Sequence, residues 1–184
     1  MNQVMLPTCD YIKLNKEKLY NSVKNLSLDS RFSSYSPPEI YKSYCTDQTK
    51  PLEFYDQKFD TYLLKQYDTV NSDIVTDSDL FKILSDRRIL NVFFFEVWGH
   101  VVEHKDPKGR YLGYPYDEYK TAIMPIYLPT SDRSIFNTFY NKESVSLKEG
   151  EFHYWDVTRV AHSWFFDYPK INKKFKLLHI DYIE

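Results

Sequence analysis

Residues 89–107 read ILNVFFFEVWGHVVEHKDP and mark the point where the chain changes from helical and irregular patterns to strand patterns. Val, Ile, Phe and Trp dominate residues 89–98, and such β-branched and aromatic runs favour strands. The apolar run leads into His104, Asp106 and Pro107, where polar and turn-forming residues follow. This stretch therefore predicts two successive strands and a turn.

Further strands are predicted downstream, where apolar and aromatic runs alternate with clusters of Pro, Gly, Asn and Asp. The predicted strands are 89–98, 100–105, 121–128, 134–140, 151–156, 159–166 and 174–183. Many short strands without intervening helices are typical of two-sheet folds that limit their exposed edges. The pattern therefore predicts a β-sandwich or a jelly roll. We expect residues 86–184 to form a jelly-roll core, which is a double-stranded β-helix barrel of the cupin-like kind.

Residues 1–85 are expected to form a helical and irregular extension that packs on this barrel, because 184 residues suit one compact domain. Apolar residues recur at helical spacing in two places, Leu19, Val23, Leu26 and Phe59, Leu63, Tyr67. A third helix is predicted after Asp77, whose side chain can cap the backbone N–H groups that precede Leu80. The fold class is therefore mainly β with N-terminal helices.

The charge of the chain is nearly balanced, with 24 basic and 26 acidic side chains and a formal net charge of −2. This balance argues against a binding surface for nucleic acid or for a membrane, and it favours a small-molecule or peptide substrate. Cys9 and Cys45 lack the spacing of a zinc site or a disulfide framework, and no apolar run approaches membrane-spanning length. We expect a soluble cytoplasmic protein.

Histidines are concentrated in the strand-rich half of the chain, at His100, His104, His153, His162 and His179. Side chains two residues apart on a strand point to the same face, so His104 and Asp106 can touch one metal ion. His162, on another predicted strand, supplies a second imidazole. Two imidazoles and one carboxylate form a facial triad with open positions, which is typical of non-haem Fe(II) oxygenases. The sequence therefore predicts an iron site.

The order His104-x-Asp106, then His162, then a basic strand resembles the Fe(II)/2-oxoglutarate-dependent dioxygenase superfamily. The resemblance covers residues 89–183. Within it, the His-Lys-Asp-Pro segment and residues 121–127 are similar to the aspartyl/asparaginyl hydroxylase-like and phage-encoded branches. The resemblance implies an oxygenase that uses Fe(II) and 2-oxoglutarate, hydroxylates a peptide side chain or a small molecule, and releases succinate and CO2.

The resemblance also implies a basic residue, on the strand after the distal histidine, that pairs with the far carboxylate of 2-oxoglutarate. Lys174 and Lys176 occupy that strand and share one face with Leu178 and Ile180. Lys176 is the preferred anchor, because a cation on an apolar strand needs a partner. Many members of the superfamily carry an arginine there, whose planar fork holds a carboxylate in two hydrogen bonds, whereas lysine offers a point charge. Tyr127 is a further candidate for the same carboxylate.

Two other interpretations compete with the oxygenase hypothesis. The segment from His100 to His104 matches the H-x-x-E-H pattern of inverted zinc metallopeptidases, in which the two histidines share one face of a helix. That interpretation requires a helix, whereas the flanking residues favour a strand and a turn. The second alternative is a jelly-roll binding protein without turnover, since a fold does not determine a function.

Overall fold

The computed structural model describes residues 9–36, 42–43, 49, 52, 57–99, 101–128, 136–166 and 174–184. Within these ranges most of the regular structure is β-strand, and helices occur only before residue 113. The prediction of a mainly β fold with N-terminal helices is therefore confirmed at this level. Among the described residues, no helix is long and apolar enough to cross a membrane.

Strands occur in both halves of the described chain, and the α-helices lie in its first half. The described strands are β1 (Cys9–Tyr11), β2 (Ser34–Ser36), β3 (Gln57–Gln66), β4 (Thr69–Val70), β5 (Arg88–Gly99), β6 (Val101–His104), β7 (Lys120–Tyr127), β8 (Phe136–Tyr140), β9 (Glu143–Ser144), β10 (Glu151–Trp155), β11 (His162–Phe166) and β12 (Phe175–Ile183). The α-helices are α1 (Lys16–Lys24) and α2 (Ser78–Ser85), and short 3-10 helices span Asp73–Thr76 and Gly109–Leu112.

The strands form two antiparallel sheets. The large sheet has the order β1-β10-β7-β12-β5-β3-β2, with β4 paired to β3, and the small sheet has the order β6-β11-β8-β9. The last eight strands pair in a nested way, β5 with β12, β6 with β11, β7 with β10 and β8 with β9. The second half of the chain therefore behaves as one long hairpin that is distributed over both sheets.

Two apolar cores lie on opposite faces of the large sheet. On one face, Leu19 of α1 and Leu80 of α2 pack in one cluster with Phe94 of β5. On the other face, Leu177 of β12 packs in a cluster that also contains Trp164 of the small sheet. Both faces are buried because side chains alternate along each strand, and burial of these apolar surfaces is the main source of stability. The large sheet is therefore the central layer, between the helices and the small sheet.

Both described helices begin at residues that cap their first turn. The side chain of Asn15 accepts a hydrogen bond from the Lys18 backbone N–H at 2.9 Å, and that of Asp77 accepts one from Asp79 at 3.3 Å. Such side-chain acceptors satisfy N–H groups that have no partner inside the helix. The predicted helices around Leu19 and after Asp77 are confirmed.

The predicted helix through Phe59, Leu63 and Tyr67 is wrong. Residues 57–66 form β3, which pairs with β5 and places Phe59 opposite Val97. A spacing of four residues fits one face of a helix, but it also fits one face of a strand, so the spacing alone does not separate the two. The partner strand β5 decides the outcome, and the first half of the chain thus adds strands to the large sheet.

Replacement of Phe94 by alanine tests the core between the helices and the large sheet. Phe94 is 1% exposed and packs its ring against Tyr20 and Tyr62. We expect Phe94→Ala to lower the free energy of unfolding by about 3–5 kcal/mol in urea denaturation, because the substitution leaves a cavity. Phe81→Ala on α2 is the matched control, since Phe81 is 56% exposed, and its effect should stay within about 0.5 kcal/mol. Equal losses in the two variants would contradict the described packing.

Candidate metal centre

The pairing of β6 with β11 brings the predicted metal ligands together. His104 is the last residue of β6, His162 is the first residue of β11, and the two lie opposite each other in the register. Their ring centroids are 4.5 Å apart. Asp106 follows β6, and its backbone N–H donates a hydrogen bond of 3.0 Å to the carbonyl of Val157. Antiparallel pairing therefore places residues that are distant in sequence around one point.

The carboxylate of Asp106 lies between the two imidazoles. Its Oδ1 atom is 3.3 Å from Nε2 of His104 and 3.4 Å from Nε2 of His162. One ligand atom from each of the three residues lies within 4.8 Å of the others. His162 is 5% exposed, and the Asp106 side chain is 19% exposed. This cluster has the dimensions of a site for a single metal ion.

The outer nitrogens of both imidazoles face backbone carbonyls. Nδ1 of His104 lies 2.7 Å from the carbonyl of Val102, and Nδ1 of His162 lies 3.2 Å from the carbonyl of Val160. A carbonyl only accepts hydrogen bonds, so each Nδ1 carries the hydrogen. A neutral imidazole has one N–H, and each Nε2 therefore presents a lone pair to the centre of the cluster. Backbone contacts of this kind hold histidine in the tautomer that binds metal.

The electrostatics of the cluster also favour a cation. Burial lowers the pKa of His104, but the hydrogen bond and charge of Asp106 outweigh it, so that pKa lies above its ordinary value. Burial raises the pKa of Asp106, yet the two imidazoles hold it well below its ordinary range. The lone pair of each Nε2 repels the carboxylate oxygen unless a proton or a metal ion lies between the two atoms. One divalent ion satisfies all three groups at once, and this donor set suits a first-row metal.

Tyr119 fixes the orientation of the carboxylate and was missed by the sequence analysis. Its hydroxyl donates a hydrogen bond of 3.2 Å to Oδ2 of Asp106, which leaves Oδ1 facing the imidazoles. Burial and the nearby carboxylates raise the pKa of Tyr119, so the hydroxyl remains a donor. Tyr119 is one of 17 tyrosines and carries no motif, so nothing in the sequence separates it from the others.

A cavity of about 270 Å³ opens beside the cluster, between the two sheets. Its walls are mostly apolar and include Phe93, Phe95, Ile123, Trp155, Trp164 and Leu177. Polar side chains line it in two groups, one formed by the metal-ligand cluster with Tyr119, the other containing Thr121, His179 and Asp181. Ligand cavities usually hold a few hundred Å³ or more, so this one suits a small molecule or a single side chain.

Lys176 of β12, and Lys174 just before this strand, lie on the side away from the cavity. Leu177 lines the cavity, whereas the two lysines point away from it and pair with Glu96 at 2.7 and 3.4 Å. Nζ of Lys176 also lies 4.8 Å from the ring centroid of Tyr20 in α1. The prediction that either lysine anchors a ligand at the metal centre therefore conflicts with the side-chain alternation along β12. The sequence shows that Lys174 and Lys176 share one face, but it does not show which face lines the cavity.

Tyr127 is also placed away from the cavity. A register irregularity between Lys176 and Leu177 sets Tyr127 opposite Lys176, and Tyr127 is 40% exposed. A β-bulge of this kind moves the following side chains to the other face of the strand. The prediction that Tyr127 binds the same carboxylate as the lysines is thus not supported at this cavity.

The metallopeptidase alternative fails on secondary structure. Residues Val101–His104 form strand β6, whereas the H-x-x-E-H pattern requires a helix. His100, its first histidine, lies outside the described residues. His104 instead faces Asp106 and His162.

A scan against protein-family models and a search of curated proteins found no match for this chain. The strand topology and the donor set of the metal-ligand cluster are therefore the grounds for a functional proposal.

Removal of one ligand tests the centre directly. We expect the protein to bind one Fe(II) per chain under anaerobic conditions, and His104→Ala or His162→Ala to weaken this binding by at least about 100-fold in calorimetric titration. Even a residue that only orients a metal ligand usually contributes 10- to 100-fold in affinity. Lys105→Ala is the matched control, since Lys105 is exposed between two of the ligands. Full affinity in both histidine variants would contradict the assignment.

Proposed function

We propose that this protein is an Fe(II)- and 2-oxoglutarate-dependent oxygenase with a jelly-roll core. The observation that carries the proposal is the convergence of His104 Nε2, Asp106 Oδ1 and His162 Nε2 beside an apolar cavity. Two imidazoles and one carboxylate leave positions of an octahedral ion open, as oxygenase chemistry requires.

The strand topology supports the jelly-roll part of the proposal. Among strands β5 to β12, the first pairs with the last, the second with the second last, and so on to β8 with β9. These eight strands are divided between the two sheets. Such an arrangement of eight strands is the pattern expected for a jelly roll. The histidines lie on β6 and β11, the second and seventh strands of this set, so the metal site is built on directly paired strands rather than on long loops.

Each residue of the centre has a separate task in the proposed reaction. When bound, Fe(II) would supply the activation of dioxygen that couples decarboxylation of 2-oxoglutarate, to succinate and CO2, to insertion of one oxygen atom into a substrate C–H bond. His104 and His162 donate lone pairs, and Asp106 neutralises one of the two positive charges. Tyr119 keeps the carboxylate oriented through its hydroxyl. The aromatic walls exclude water, which limits wasteful oxidation.

The size of the cavity limits the substrate class. With about 270 Å³, it accepts a small molecule or a side chain presented by a peptide, whereas a folded partner would have to remain outside. No lysine or arginine is among the described residues that line the cavity. The apolar walls therefore favour a substrate whose reacting carbon belongs to an apolar group.

A jelly-roll binding protein without turnover is the second candidate. It is favoured by the position of Lys174 and Lys176, which pair with Glu96 and do not line the cavity. They thus offer no cation to the far carboxylate of 2-oxoglutarate there. The two candidates differ in one outcome, since a binding protein takes up its ligand without forming succinate.

A spectroscopic titration tests the proposal. Anaerobic addition of Fe(II) and 2-oxoglutarate is expected to give a weak visible charge-transfer band, because a 2-oxo acid that chelates the ion donates into it. Asp106→Ala should remove the band, and Lys105→Ala should keep it. Admission of air should then yield succinate in the wild type. A wild-type protein that binds Fe(II) yet shows neither band nor succinate would refute the oxygenase and favour the binding protein.

A further inference from the structure

A second polar cluster lines the same cavity, around the buried carboxylate of Asp181. Its Oδ1 accepts hydrogen bonds from Thr121 Oγ1 at 2.9 Å and from His179 Nε2 at 2.8 Å. Its Oδ2 accepts a hydrogen bond from the hydroxyl of Tyr114, which in turn accepts one from Asn91 Nδ2 at 2.6 Å. Asp181 is 3% exposed. A carboxylate with this many donors is held in one orientation.

Asp181 determines which nitrogen of His179 is left for a ligand. The carboxylate accepts, so Nε2 carries the hydrogen of that contact. Nδ1 has no hydrogen-bond partner in the described part of the chain, and His179 lines the cavity. The imidazole packs edge to face against Phe95, with ring centroids 4.7 Å apart, which limits its rotation. His179 therefore offers one oriented nitrogen that the structure does not otherwise use.

The second cluster is coupled to the metal centre through two tyrosines. Tyr119 donates its hydroxyl to Asp106, and its ring packs edge to face against Tyr114 at 5.2 Å between centroids. Tyr114 donates its own hydroxyl to Asp181. The cavity thus has a metal-binding end and an imidazole end, with apolar walls elsewhere.

We propose that His179 binds the acid group of a small ligand held in the cavity beside the metal centre, and that Asp181 positions His179 for this task. The inference rests on the proposed function for the metal, and it replaces the lysine anchor with a residue on the cavity side of β12. Apart from the metal ligands, His179 is the one histidine among the described residues that line the cavity.

His179 can hold an anionic ligand when it carries a second proton. The imidazolium form donates from both nitrogens, from Nδ1 to the ligand carboxylate and from Nε2 to Asp181. Charge-assisted hydrogen bonds of this kind are stronger than neutral ones. Without Asp181, a partly buried imidazolium would lack a compensating charge. The ligand class is therefore a small acid. Its acid group belongs either to the cosubstrate, whose 2-oxo acid end would coordinate the metal ion, or to an acidic substrate.

Two 2-oxo acids that differ only at the far end test the proposal. 2-Oxopentanoate has the carbon chain of 2-oxoglutarate with a methyl group in place of the far carboxylate. In calorimetric titration of the anaerobic Fe(II) protein, we expect 2-oxoglutarate to bind about tenfold more tightly or better, as a charge-assisted hydrogen bond allows. His179→Phe keeps a ring beside Phe95 and should abolish the preference, while His179→Gln should keep part of it.

A second titration distinguishes whether the acid group belongs to the cosubstrate or to a substrate. If the acid belongs to a substrate, protein saturated with 2-oxopentanoate should bind propionate, and His179→Phe should lose this binding. Either result supports the proposal. Three results would overturn the proposal. His179→Phe could keep the full preference for 2-oxoglutarate, Lys176→Gln on the opposite face could lose that preference, or the wild-type protein could bind none of these acids. Binding of propionate that depends on His179, without a charge-transfer band, would support the acid site and refute the oxygenase.

Discussion

The pairing of β6 with β11 is the interaction on which the proposed site depends. It places His104 opposite His162, and the short segment after β6 is fixed by the hydrogen bond from Asp106 to Val157. A shift of the pairing by one residue would turn one imidazole to the other face of the small sheet. The metal-ligand cluster is thus a property of strand register, and each imidazole is oriented further by the carbonyl of the residue two positions before it.

The large sheet forms the layer on which the small sheet, with its paired strands β6 and β11, packs. Its two faces have different roles, because one packs on α1 and α2, while the other forms the cavity wall and the base for the small sheet. Strand β12 illustrates the division. His179 and Asp181 lie on the cavity side, whereas Lys176 meets Glu96 and Tyr20 on the helix side. Alternation along one strand therefore separates the groups that can meet a ligand from those that hold a helix.

Local patterns predicted the second half of the chain well, since the predicted strands correspond to β5 to β8 and β10 to β12. His104 and Asp106 were identified because residues two apart share one face of a strand. In the structure Asp106 lies just after β6, and its hydrogen bond to Val157 fixes its position. The predictions were wrong where the structure of a segment depends on contacts with residues that are distant in sequence. The spacing of Phe59 and Leu63 fits a helix or a strand until β5 is known, and the facing of Lys176 follows from packing on α1. Tyr119 has no local signal, since its role comes from its contact with Asp106.

The central claim is that His104, Asp106 and His162 hold one metal ion, and crystals grown anaerobically with Fe(II) test it most directly. Diffraction data collected at the iron absorption edge locate the ion independently of any assumed ligands. We predict a single anomalous peak about 2.0–2.2 Å from both Nε2 atoms and from an Asp106 carboxylate oxygen, as for first-row divalent ions. A peak at another site, or none in this cluster at full iron loading, would contradict the account.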